Sequence, residues 1–598
     1  MKLASSGRNP SVTGSQTLFG NPQGHCKPCK EPITEALPSG RFFFFRLFFS
    51  FIVIALAFFH CDLDTTVESA NAEKVAHDVR ISQNETWTSD KTHVVSSEIV
   101  IDNATLTIEP GTTIQFAAGA GLMTTTGGAI LAQGSSDKPI IFTGTEATKG
   151  FWNAIRFASG SNSQSCKLIH CVIEFGGGGD SESAMIICQD VSPTIAHCQI
   201  KNSAALGVLI SGAAGPADFS YNTITLGDKA PLGISATSIP CLNPNCDFTG
   251  NAEDHIQVTE GGSIQKSALW QTFNVPYQIS ENIQISDAIL RIASGAELRF
   301  EAATSIRINQ DGGIWAAGNA TEKIVFTSTE AQKGYWEGIS FFDGARDDSC
   351  SLTYCIIEYG GGNPQRPANI YAEYANPAIS SCEVKSGIGY GVVFEGISYP
   401  RSFFNNTITE NEQAPIRINV ENAHRISRGN YFGNAENYIE LAGGNIFNTC
   451  EWENTGIRFR LIGSLNIINS TLTIRPGTAI ELAANVSINV KMRGGFIADG
   501  ADNQIIITGS VPQAGYWDYI HFEGDSDDNA CLLNQCLISY GGGDDGWPGS
   551  VYCENASPTI TNCRIENSAT WGIFLAGDAQ PVLDGTKYAG NLRGDVWP

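Results

Sequence analysis

The sequence predicts an all-β chain wound as a parallel β-solenoid and built from three tandem repeats of about 182 residues. Two periods predict it. The long one is visible in a motif that occurs three times: Gly150-Phe151-Trp152-Asn153-Ala154-Ile155, Gly334-Tyr335-Trp336-Glu337-Gly338-Ile339 and Gly515-Tyr516-Trp517-Asp518-Tyr519-Ile520. Trp87, Trp270 and Trp452 keep the same offset. So do Gly111, Gly295 and Gly477, and so do Cys171, Cys355 and Cys536. The short period is about 23 residues. In the first copy Ile173, Ile200, Ile224 and Phe248 mark one series, and Ile187, Ile210, Ile234 and Ile256 a second. The second copy repeats both, with Ile357, Val384, Ile408 and Phe432, and with Ile370, Val393, Ile416 and Ile439. A strand-rich unit of that length cannot bury its apolar face alone, so successive turns must stack.

The elements follow in chain order. Residues 1–72 precede the repeats and hold one long apolar run, 42–59. The copies occupy 73–263, 264–445 and 446–598. Their strand-like pieces are short, alternate apolar with polar, and close on Gly, Asn, Asp or Ser. Other repeat architectures fit worse. A propeller blade needs roughly 40 to 50 residues, twice the inner period. The Leu pattern of a leucine-rich repeat is absent, and no helical periodicity runs through the chain after residue 60.

Specific segments then carry a resemblance. Thr86-Trp87-Thr88, Thr105-Leu106-Thr107-Ile108-Glu109-Pro110-Gly111-Thr112, Pro139-Ile140-Ile141-Phe142-Thr143, the Trp152 motif and Ile173-Glu174-Phe175-Gly176-Gly177-Gly178 follow one another in the first copy. Together they resemble the right-handed parallel β-helix repeat proteins of the pectin-lyase-like superfold, exported bacterial proteins. The likeness covers residues 80 to 598 in all three copies. It implies the fold, a right-handed parallel β-helix. It does not imply one activity, since that superfold carries lyases, hydrolases, adhesins and passive stalks.

Charge and targeting restrict the setting. The net charge is −25, which disfavours nucleic acid and anionic membrane surfaces as partners. Gly is abundant, with 63 residues, as many tight corners require. Arg41 and Arg46 precede and enter the apolar run 42–59, and Ala70-Asn71-Ala72 offers a small-x-small cleavage site. The sequence therefore predicts export to the cell surface, periplasm or exterior, with any membrane contact confined to this N-terminal segment. An uncleaved anchor and a lipidated Cys61 are the alternatives.

Of seventeen cysteines, fourteen follow residue 72. Cys26-Lys27-Pro28-Cys29 is only half of a zinc motif. Cys171 and Cys198 lie one turn apart at the same phase, close enough to bridge or to stack as reduced core residues. Cys241-Leu242-Asn243-Pro244-Asn245-Cys246 is expected to be a loop closed by a disulfide.

The search for catalytic residues finds little. A lyase on this fold needs acidic Ca²⁺ ligands with a Lys or Arg base, and a hydrolase needs two or three close carboxylates. The acidic clusters are Asp343, Asp347 and Asp348, then Asp525, Asp527 and Asp528, then Asp544 and Asp545. Gly and Ser flank them, so solvated turns come first, Ca²⁺ ligands second and catalytic acids last. Asp347 and Asp528 hold one position relative to Trp336 and Trp517, and Ser163 stands there in the first copy. Those two are the candidate Ca²⁺ ligands. His170 and His197 are expected to stack one turn apart. The Gly runs after Phe175, Tyr359 and Tyr540 read as corners, not phosphate cradles. Trp152, Trp336 and Trp517 read as packing residues, because a core Ile follows each by three. Trp547, between Asp544-Asp545-Gly546 and Pro548, is the better ligand contact. No residue is nominated as catalytic. The sequence thus predicts a binding or structural role toward a polysaccharide or cell-surface component. The alternative is a polysaccharide lyase or glycoside hydrolase.

Overall fold

A computed structural model describes residues 73–598 apart from 78, 180–182, 545 and 547. The apolar run 42–59, the Ala70-Asn71-Ala72 site and Cys26, Cys29 and Cys61 lie outside the described residues. Residues from Ala70 onward form one compact unit.

That unit is a parallel β-helix of about 21 turns. Every strand pairing among the described residues is parallel, each strand lying above the one a turn earlier. A full turn has three sides. In the first copy Cys171–Glu174 is a first side, Ala184–Gln189 a second and Thr194–Ala196 a third. With roughly 4.8 Å between stacked strands the rod is about 100 Å long. Small-angle scattering of residues 73–598 alone should give a rod with that maximum dimension, and a compact sphere would contradict the fold.

The interior is built from columns. Ile173 pairs with Ile200, and Ile200 with Ile224, so the three side chains stack. All are buried. Two of the eight members of the second series, Ile187 and Val393, miss the core by one residue, and the other six are buried in it. Ile187 pairs with Leu209, and Tyr371 with Val393, and both pairs point outward. Cys188, Ile210 and Ile234 form the inward column instead. A slip of one residue moves a strand's whole apolar set to the other face. Here the runs are apolar on both faces, so alternation could not fix the phase. Phe432 is also corrected. It is 55% exposed, and Tyr431 takes the core position.

The repeated Trp motif is a packing device. Trp152, Trp336 and Trp517 are fully buried. Each indole Nε1 donates to a carbonyl a turn later, that of Glu174, Glu358 or Ser539, at 2.8 Å in every copy. The Gly run follows that carbonyl and passes under the Trp motif. A Cβ on Gly178 would sit 1.9 Å from the Gly150 carbonyl oxygen, and Gly362 and Gly543 meet Gly334 and Gly515 in the same way. No side chain fits there.

The fourteen cysteines among the described residues are free thiols. This corrects the expected Cys241–Cys246 bridge. Backbone hydrogen bonds close that loop, with Cys246 N donating to Asn243 O at 3.2 Å. The Cys246 thiol turns to the Phe219 carbonyl at 3.5 Å. Burial pushes the Cys241 thiol up to about 12 and that of Cys246 up to about 11, so neither offers a reactive thiolate. The expected stack of thiols is present. Cys171 and Cys198 point to backbone carbonyls at 3.5 and 3.3 Å.

At the copy boundaries a sheet changes hands. One fourteen-stranded sheet begins with Arg80–Ile81 and carries the second sides of copy one. Its strand Leu232–Ser235 then pairs directly with Ile256–Glu260, the counterpart of Glu73–Ala76 and so the strand from which copy two is counted in the structure, through a register shift at Ser235. The sheet continues to Thr407–Thr409. The second fourteen-stranded sheet does the same, where Ile416–Asn419 meets Tyr438–Ala442, the next counterpart strand, from which copy three is counted in the structure. In the turn at each boundary the other two sides lack regular strands. Leu242 and Asp247 make single bridges at the first boundary, and Asn430 makes one at the second. Counting those sides, Ile155–Phe157 and Gly338–Phe341 are seven turns and one third apart. The same interval separates Gly338–Phe341 from Ile520–Phe522.

Candidate functional site

Alternate residues of a strand face outward, and in-register strands align them along the axis. On the second side of copy three this outward column reads Asn445, Asn466, Asn489, His521, Tyr552, Phe574 and Trp597. The amides form a ladder. Asn466 Nδ2 donates to Asn445 Oδ1 at 2.9 Å, and Asn489 Nδ2 to Asn466 Oδ1 at 3.1 Å. The rings continue it. Centroids lie 4.7 Å apart for His521 and Tyr552, 5.6 Å for Tyr552 and Phe574, and 6.0 Å for Phe574 and Trp597. The Tyr552–Phe574 and Phe574–Trp597 pairs stack, inclined by 18° and 2°, whereas His521 and Tyr552 are tilted by 59°. Parallel pairing enforces this stacking, because identical positions recur once per turn.

Titratable groups flank the column. His521 Nε2 lies 3.3 Å from Glu554 Oε2. Tyr519 meets the His521 ring edge-on at 5.9 Å. Burial, then the nearby Asp544 charge, raises the Asp518 carboxyl above its ordinary value. Burial raises the Glu523 carboxyl and the phenols of Tyr519 and Tyr552 as well. Burial lowers His521, against the pull of Glu554. In this patch carboxyl groups flank a column of rings that includes the His521 imidazole. Shifted groups concentrated in one place mark a candidate site.

The predicted site residues divide between two places. Asp544 sits at this patch, close enough to Asp518 to raise it. Asp545 and Trp547 lie outside the described residues. Asp347 and Asp528 are elsewhere, at a corner between the second and third sides. Asp347 Oδ1 accepts from Asn376 N, and its Oδ2 from Asn376 Nδ2, both at 2.7 Å. Asp528 Oδ1 accepts from Ser557 N at 2.8 Å. Ser163 does the same work in copy one, where Ser192 N donates to its Oγ at 3.2 Å. The position is a latch onto the next turn, which explains why a hydroxyl can replace the acid. Among the described residues no group of three or more His, Cys, Asp or Glu is placed to hold a metal ion. Asp347→Ala should cost about 1–2 kcal/mol and Asp528→Ala less. Thermal unfolding in Ca²⁺ and in EDTA checks this. A parent stabilised by Ca²⁺, with the gain lost in both variants, would make the corner a cation site instead.

The sequence reading missed Asp518, Tyr519, His521, Tyr552 and Glu554. One signal was available. The Trp motif is followed by Asn153-Ala154 in copy one but by Asp518-Tyr519 in copy three. His170 and His197 do stack, at 4.7 Å, with Tyr221 next at 4.8 Å, but at a corner remote in sequence from this patch.

The same outer face recurs in the other copies with different chemistry. In copy one Ala154, Ala184, Ile187 and Leu209 form an apolar cluster separate from the core. A cavity of about 490 Å³ lies against it, bordered by Lys229, Glu253, Gln257 and Glu260. In copy two Ala368, Tyr371 and Val393 cluster with Phe342 and Tyr390. Glu337, at the Asp518 position, holds Arg307 at 2.9 Å and Arg366 at 3.5 Å. The Arg366 guanidinium lies 5.4 Å from the Phe342 ring.

Residues 79–169 match the family described as pectate-lyase like beta helix domain. Fold and match together define a right-handed parallel β-helix protein, pectate-lyase-like over that segment. Comparisons with curated proteins and with solved structures give no match. Among the described residues no helix is long and apolar enough to cross a membrane.

Proposed function

We propose that the protein is an exported glycan-binding β-helix and that the ring column of copy three is its binding face. One observation carries this reading: a column of aromatic rings on the outer wall, flanked by carboxyls, whose last ring, Trp597, is 46% exposed while Tyr552 further down the column is buried. Sugar rings present flat C–H faces that pack on aromatic faces, while their hydroxyls need Asn, Asp and Glu partners. The net charge of −25 favours neutral or cationic glycans over anionic ones. The Arg41–Arg46 and 42–59 segment supports export.

A glycan array on the full chain tests the proposal. Trp597→Ala should weaken the best ligand about tenfold, roughly 1.4 kcal/mol. The pH profile of binding should carry a step above the usual carboxylate range, because Asp518 is raised, and Asp518→Asn should remove it. An array without hits, or binding untouched by Trp597→Ala, would reject the site.

The pairing of Asp518 with Asp544 favours a second reading. A close pair of carboxyls is the usual equipment of a glycoside hydrolase. Release of reducing or unsaturated sugar ends, abolished in Asp518→Asn, would make the protein an enzyme.

A further inference from the structure

The first turn of copy one closes on a titratable ring where the other copies close on Tyr or Phe. Val75 of Glu73–Ala76 pairs with His93 of Lys91–Val95. The counterpart pairs at the start of copies two and three are Ile256 with Tyr277 and Ile439 with Phe459. All three rings are buried. Each lies against the Trp of its own copy, at 5.0 Å for Trp87, 5.4 Å for Trp270 and 5.3 Å for Trp452. The position therefore calls for an aromatic ring that points into the core. Tyr and Phe fill it uncharged in acid and at neutral pH. Histidine fills it well only while neutral, because an unpaired buried charge is costly.

His77, which follows Glu73–Ala76, completes the arrangement. Its ring lies 4.2 Å from Trp87 and 5.0 Å from His93, so the three rings form one pile. Hydrogen bonds assign the protons. His93 Nε2 lies 3.1 Å from the Thr88 carbonyl, which can only accept, so Nε2 carries the hydrogen. The other nitrogen, Nδ1, lies 2.8 Å from His77 Nε2 and accepts there. His77 Nδ1 lies 3.0 Å from the Glu85 oxygen that also accepts from Trp87 Nε1 at 2.7 Å. A second proton on His93 would point from Nδ1 at the N–H of His77, with no acceptor between them. Burial holds His93 below the ordinary histidine value, against the pull of the Thr88 carbonyl, Glu85 and Asp90. Lys91 pushes it the same way as burial, and Glu73 lies 3.4 Å from that ammonium.

We propose that this pile is an acid-sensitive clasp, which holds the strand Glu73–Ala76 on the rod near neutral pH and releases it in acid while later turns stay closed. The direction follows from linkage. His93 takes a proton more readily with the strand released than with it in place, because release lets water reach the ring. The clasp is therefore fully closed above the ordinary histidine value, about 6.5, and weakens as the pH falls below it. One proton taken up on opening raises the open fraction about tenfold per pH unit across that window. Release also lifts His77 from the Trp87 ring and leaves Lys91–Val95 as the edge of its sheet. Copies two and three hold Tyr277 and Phe459 in this place, so their first turns lack the switch.

Hydrogen exchange of the full chain tests the clasp, read by mass spectrometry at about pH 5 and about pH 7.5 and corrected for the intrinsic rate. Amides of residues 73–95 should be open about tenfold more at the lower pH. Those of residues 256–279, the counterpart region of copy two, should not change. His93→Phe installs the ring that copy three carries at this position, so it should fold and keep residues 73–95 closed at both pH values. His77→Ala should loosen them at both, since the donor to His93 is gone. Equal protection at the two pH values in the unmodified chain overturns the inference, whether or not a variant folds. Acid opening that survives in His93→Phe overturns it as well, because another group would then be titrating.

Discussion

Replacing Ile200 with aspartate should destabilise the protein by about 4 kcal/mol or more. Ile200 is fully buried between Ile173 and Ile224, one turn below and one above. A carboxylate there would have aliphatic neighbours on both sides and no partner. An unpaired buried charge is among the few changes that reach this size. Thermal unfolding followed by circular dichroism should show a melting temperature lower by about 10 °C, or no soluble protein. A variant that melts within a degree or two of its parent would mean that Ile200 does not face the core.

The second large effect is expected at Trp336. Its ring stacks on Phe300 at 4.2 Å, and its Nε1–H satisfies the Glu358 carbonyl. Trp336→Ala should cost about 3–5 kcal/mol, from lost burial and the cavity left behind. It would also leave that carbonyl without its donor. Trp336→Phe should recover most of the packing but not the hydrogen bond, and so lose about 1–2 kcal/mol. Denaturant unfolding of the two variants separates the terms. Equal losses would mean that the hydrogen bond, and not the packing, sets the value of the motif.

Much of the fold could be read from the chain, because a solenoid writes its geometry into spacing. The stacked Ile173, Ile200 and Ile224, the buried Trp motif and the Gly corner all follow from a period and a phase. What failed has local causes. Ile187 and Val393 sit in runs apolar on both faces, so alternation gave no phase for them. Phe432 falls in a boundary turn, where regular strand is missing and the phase drifts by one residue. The thiols kept the spacing a disulfide needs but turned to carbonyls. The site was harder. Asp544 was legible as part of an odd loop. Asp518 and Tyr519 were hidden inside a motif whose other members pack the core. His521 and Tyr552 lie 31 positions apart in sequence, yet they are neighbours because one turn with a long corner separates them. Only the register makes them touch.

The boundary turns also bear on how the rod responds to load. Within a copy, three hydrogen-bonded walls resist flexing about equally. At the first boundary only the wall joining Leu232–Ser235 to Ile256–Glu260 is a continuous strand pair, and the other two hold by the bridges at Leu242 and Asp247 and by loop hydrogen bonds such as Leu226 N to Gly250 O. At the second, the join of Ile416–Asn419 to Tyr438–Ala442 plays that part. Bending stiffness at these two turns therefore depends on direction. The continuous wall is the stiff strap, and the rod yields most easily by opening the two thin walls away from it. Because the strap moves one wall on between the boundaries, the two soft directions differ, and the shaft can curve out of a single plane.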